Sequence, residues 1–182
     1  MFDLGVAALV RAAWSKRQLL ETMVDFWSNH LNVTNPSDRV WATRHDYDRT
    51  VIRRFALGKF SDMLVASATH PAMMTYLNNA ESTKYLPNEN YGRELLELHS
   101  VGVDAGYSEE EMFNSALTMT GFGIDWDTYQ FAYTPDDHYT GSVKVLGWSS
   151  KNADANGYQT GLEYVRYLAH HPATAKRIAT KL

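Results

Sequence analysis

The sequence predicts a mainly α protein, a multi-helix orthogonal bundle with one small β-hairpin. Three observations carry that expectation. Apolar residues recur at helical spacing through most of the 182 residues, several helix starts are marked by capping residues, and a period of two appears only beyond Gly123.

Taken in order, Ser15 and Gln18 form a capping-box pattern ahead of Leu19, Leu20, Met23, Val24, Trp27 and Leu31, which share one helical face. His30 lies within a turn of Phe26 and Trp27, so its imidazole abuts that apolar face. Two roles stay open for it: a buried ring satisfied by a backbone carbonyl, or a ligand or proton shuttle. A polar turn is expected at Asn35-Pro-Ser-Asp38, followed by helices of about Asp46 to Ala56 and Ser61 to Ala68 joined at Gly58. His70-Pro-Ala opens a short helix, and His171-Pro-Ala opens the last one. Proline suits the first helical position because its missing N–H would have no intrahelical partner there.

The densest chemistry lies in Asn88-Glu-Asn-Tyr-Gly-Arg-Glu-Leu-Leu-Glu-Leu-His99. Asn88 is a suitable N-cap, Glu89 complements the dipole in the first turn, and Gly102 falls where a C-cap would, giving a helix from about Glu89 to Val101. Tyr91, Leu95 and Leu98 share one face, whereas Glu89, Arg93 and Glu97 are successive i, i+4 neighbours. As a solvated ladder these charges contribute a few tenths of a kcal/mol per pair. Turned inward, Glu89, Arg93 and Glu94 place a carboxylate as general base or metal ligand beside a guanidinium that binds an anionic group. Inward ion pairs are expected.

A further helix starts at Ser108, with Glu111 closing a capping box and Met112 placed to staple on Tyr107, and runs to Gly121. Tyr129, Phe131 and Tyr133 then alternate with polar or small residues, and Val143 and Val145 flank Lys144. These read as two strands joined through the loop Thr134 to Gly141, a hairpin insertion at about 124–147. The linker from Ser149 to Gly157 leads to a helix bearing Leu162, Val165 and Leu168.

Charge is segregated along the chain. Residues 84–137 hold eleven acids and two bases, a net of -9, while the remainder holds ten acids and fifteen bases, a net of +5. With no basic face interleaved with aromatics, nucleic acid is not expected as a partner. No apolar run reaches the length of a membrane span. The absence of cysteine removes disulfides, thiolate metal sites and cysteine nucleophiles and leaves the compartment open. There is no phosphate-binding glycine loop and no nucleophile elbow.

The Asn88–His99 segment, together with Tyr107-Ser-Glu-Glu-Glu, Leu117-Thr-Met-Thr-Gly121, Asp136-Asp-His-Tyr-Thr-Gly141 and the Trp27-Ser-Asn-His30 stretch, resembles the bacterial family called domain of unknown function 1800. The resemblance covers nearly the whole chain. It implies longer members, many of them exported, so residues 1–182 are expected to form a single helical domain that is an internal portion of a larger protein. Ser28 stands where relatives often carry a further His, and Phe122 where they commonly carry Trp. The resulting reading is an enzyme of hydrolytic or metal-assisted chemistry with His30, Glu89, Arg93 and Glu94 as catalytic candidates. Glu97, Asp137 and His138 are candidate ligands of a divalent metal, for which imidazole and carboxylate would favour zinc, iron or manganese. The alternative is a non-catalytic binding or assembly module of an exported bacterial complex, with a protein partner. Convergence of His30, Arg93, Glu94 and His138 distinguishes the first from the second.

Overall fold

The computed structural model describes residues 2–34 and 40–182, so the polar turn expected at Asn35 to Asp38 lies outside the described residues. Nine α-helices, with the π and 3-10 turns that extend or join them, make up most of the described chain: α1 (Phe2–Trp14), α2 (Gln18–His30), α3 (Arg44–Tyr47), α4 (Phe60–Ala68), α5 (Pro71–Tyr76), α6 (Glu89–Glu94), α7 (Glu109–Thr118), α8 (Tyr158–His170) and α9 (Pro172–Lys181). Two of them continue without a break into π-helical turns, α3 into Asp48–Arg53 and α6 into Leu95–His99. The architecture is mainly α with small β-hairpins. Among the described residues no helix is long and apolar enough to cross a membrane.

The core is built largely from the predicted apolar faces, although Leu19 and Leu98, assigned to them from sequence, lie exposed. Trp27 of α2 is stacked on Phe60 of α4 at 5.3 Å and donates its indole N–H to Ala56 O at 3.0 Å. Tyr47, fully buried, donates to Leu31 O at 3.1 Å and lies 2.7 Å from Ser67 Oγ. α8 lies along α4, and α6 lies along α7. The second contact is close because Gly92 has no side chain: a Cβ there would stand 2.7 Å from Ala116 N.

Most expected caps form. Asn88 Oδ1 accepts from Tyr91 N at 3.0 Å, and Ser108 and Glu111 close a reciprocal capping box at 3.2 and 3.0 Å. His70 and His171 both cap their helices, each imidazole Nδ1 accepting from the amide two residues on, at 3.1 and 3.2 Å. The two His-Pro-Ala copies are therefore one helix-start solution used twice. The capping box expected at Ser15 does not form. Ser15 Oγ accepts from Arg17 N within the α1–α2 turn, and Gln18 donates to backbone carbonyls of Ser15 and Ala12.

The strands differ from expectation in pairing. β1 (Phe122–Asp125) pairs antiparallel with β2 (Gln130–Tyr133), and β3 (Val143–Val145) pairs antiparallel with β4 (Trp148–Ser150), giving two hairpins instead of one. The second turns on Leu146 and Gly147, both at positive φ (49° and 88°), a two-residue turn whose twist matches its strands. Leucine is a poor signal for that conformation, so the sequence does not advertise the turn.

Candidate functional site

Structure places the candidate residues in three separate locations. The first is the exposed flank of α6. Glu89 is solvent-exposed in the first turn. Arg93 donates to Glu109 Oε2 at 2.9 Å and more loosely to Glu97 Oε1 at 3.4 Å, and Tyr107 donates its hydroxyl to the same Glu97 oxygen at 3.2 Å. The side chain of Arg93 is 39% exposed and that of Glu109 79%, so these pairs lie at the surface and not inward as expected. Helix geometry explains the difference: Tyr91, Gly92, Leu95 and Leu96 fill the buried face and leave Arg93 on the rim. Glu94, half-buried beside them, has its carboxyl pKa raised by burial and then by the Glu97 charge. Arg93→Ala is expected to lower stability by under about 1 kcal/mol, the ordinary worth of an exposed pair. A urea melt reads it directly, and a loss near ~3 kcal/mol would require a buried network instead.

The second location is the joint between the hairpins. His138 is buried, its Nδ1 2.8 Å from Thr120 O and its Nε2 2.9 Å from Asn152 Oδ1. Asn152, itself buried, donates to Tyr139 O at 2.6 Å. Both ring nitrogens are thus engaged within the chain. Asp137 ends a 3-10 turn (Pro135–Asp137), and its carbonyl accepts from Lys84 N. Glu97, Asp137 and His138 are not gathered: among the described residues no group of three His, Asp or Glu side chains could hold a metal ion.

The third location surrounds His30, the last residue of α2. Its ring lies parallel to Phe26 and is flanked by Trp27 and Phe60. His30 Nε2 is 3.1 Å from His99 O; since a carbonyl only accepts, Nε2 carries the hydrogen. Nδ1 then presents its lone pair to Lys181 Nζ at 3.2 Å. Burial lowers the His30 pKa to about 4, with Lys181 reinforcing the shift, and burial lowers that of His99 to about 3, with His30 and Lys181 adding to it. Lys181 is shifted downward too, by desolvation and then by Arg177.

Beside this buried pair opens a cleft of about 360 Å³, lined on one side by Val101, Gly102, Asp104 and Ala105 and on the other by Lys176, Arg177, Thr180 and Lys181 of α9. The Arg177 guanidinium lies against the Gly102 backbone: a Cβ on Gly102, whose φ is +87°, would stand 2.8 Å from Nη1. Arg177 Nε is buried with no hydrogen-bond partner among the described residues. Among those residues, too, no carboxylate lies within ion-pairing distance of Lys176, Arg177 or Lys181. Such a corner can hold an anion, with a charge-assisted donor already stripped of water.

Of the candidates, only Arg93 and Glu97 meet each other; Glu94 stands near them, and His30 and His138 lie apart. Sequence reasoning missed Arg177 and Lys181. The available signal was the spacing of those two bases, one helical turn apart in a closing segment that has no acids.

No curated protein and no solved structure matches the chain. One family does, over residues 1–182, under the description protein of unknown function (DUF1800). With the whole sequence matched, the chain belongs to the DUF1800 family.

Proposed function

We propose that this domain is a binding module for an anionic ligand, seated in the cleft between the Val101–Ala105 segment and α9. The observation that carries the reading is the set of three cations without carboxylate partners among the described residues, one of them with a buried and unpaired Nε–H. A buried donor left unpaired is costly, and an incoming carboxylate or phosphate oxygen relieves that cost. The enzymatic reading draws less support. Its groups are dispersed, and His138 and Arg93 are already engaged by partners within the chain.

Inorganic phosphate and succinate are the probes. Titration calorimetry at neutral pH is expected to give saturable binding that weakens with added salt and falls about tenfold or more in Arg177→Gln, the loss of one charge-assisted hydrogen bond. Absence of saturable binding by both anions, or unchanged binding by the variant, would return the domain to the hydrolytic reading.

A further inference from the structure

A second groove, on a different part of the molecule, carries chemistry of another kind. The tip of the β1–β2 hairpin presents Trp126 and Tyr129, 51% and 50% exposed, with their rings edge to face at 6.2 Å. The tip is held in place: Asp125 Oδ1 accepts from the backbone amides of Asp127 and Thr128 at 2.9 and 3.0 Å, and Gln130 is registered against Asp125. Tyr129 has φ +54°, a left-handed conformation that a β-carbon disfavours. The core gains little from it, because half of that residue faces solvent.

What Tyr129 does line is an open groove of about 490 Å³ between the hairpin and the α3–π segment. Asp46 and Arg54 stand among the facing walls, with the hydroxyl-bearing Thr43 and Thr50. The Asp46 carboxylate is fixed, one oxygen 2.8 Å from Arg49 Nη2 and the other 3.2 Å from His70 Nε2. His70 Nδ1 accepts from Ala72 N, so Nε2 is the protonated nitrogen and donates to Asp46. The groove therefore combines an aromatic face with an oriented carboxylate and a guanidinium of opposite sign, and neither sign dominates.

We propose that this groove binds a neutral saccharide, with a pyranose ring laid on Tyr129, its hydroxyls bridging Asp46 and Arg54, and Trp126 meeting it edge-on from the hairpin tip beside the groove. A pyranose offers an apolar C–H face to an aromatic ring and a row of vicinal hydroxyls that both donate and accept. That pattern matches an aromatic platform beside a carboxylate and a guanidinium, whereas an anion would meet Asp46 unfavourably.

The test titrates the whole chain with cellohexaose, xylohexaose, mannohexaose and maltohexaose, reading saturation-transfer NMR and calorimetry. At least one is expected to bind saturably, and Tyr129→Gly is expected to weaken it about tenfold or more. Glycine relieves the positive φ, so the same variant should melt no lower than the parent protein, which separates loss of the platform from loss of the fold. Trp126→Ala should weaken binding in the same direction. Failure of all four sugars to bind, or binding that survives Tyr129→Gly, overturns the proposal. Preferential binding of an acidic peptide to this groove overturns it equally. Phosphate binding at Arg177 stands or falls separately.

Discussion

Acidification from pH 6.5 toward 4 is expected to remove on the order of 3 kcal/mol of stability through His30, whose folded pKa is lowered by burial from 6.5 to about 4. Above pH 6.5 the ring is neutral whether the chain is folded or not, and the contribution is complete. Below it, the unfolded chain takes up a proton that the folded chain refuses, so stability falls with falling pH. The loss levels off once the folded ring is protonated as well. His99, lowered further to about 3, acts in the same direction over a wider window. Carboxylates such as Glu21, held low chiefly by its hydrogen bond to Arg53, add their losses only as pH falls below the usual carboxylate range. Urea melts at intervals from about pH 7 to pH 4 check the expectation. A flat profile above about pH 5 would mean that the two histidines are not held neutral by the fold. His30→Gln should flatten part of the slope, since glutamine carries no titrating proton.

Gly92→Ala is expected to destabilise by about 3 kcal/mol, the upper end of ordinary overpacking. The added methyl would stand 2.7 Å from Ala116 N and 2.9 Å from its Cβ. Main-chain atoms cannot swing aside, so α6 and α7 must separate. Separation also pulls Gly92 O from the Ser115 hydroxyl, now bonded at 3.2 Å. Gly5→Ala is the control: nothing lies within 4 Å of its Cβ, and in an exposed helix the change should raise stability by about 0.5–1 kcal/mol. A Gly92→Ala loss below about 1 kcal/mol in the same melt would show that the helices tolerate a wider spacing.

Local signals are legible in the sequence, and distant ones are not. Asn88 and Ser108 announce helix starts because a cap and its amide are three residues apart, and Pro71 and Pro172 announce two more by standing at the first helical position. The two-residue period of Val143 and Val145 marks a strand, both valines being buried, but its partner differs from the one expected. Pairing depends on a turn at Leu146 whose conformation the side chain does not advertise. The candidate site is less legible for the same reason. Arg93 takes its closest carboxylate from Glu109, on another helix, and His30 meets a lysine 151 residues further on. Periodicity places a side chain on a face; it does not say which other element that face meets.

The π turns at Asp48–Arg53 and Leu95–His99 make this architecture unequally tolerant of change. A π turn accommodates one residue more than the α ladder requires. Loss of a single residue between Leu95 and His99 would let the α ladder close while the downstream chain keeps its register, whereas the same loss within α8, a regular helix, would rotate everything after it by roughly 100°. The segment joining α6 to Gly102 is thus one place where this fold absorbs a change of length, while its regular helices are held to theirs.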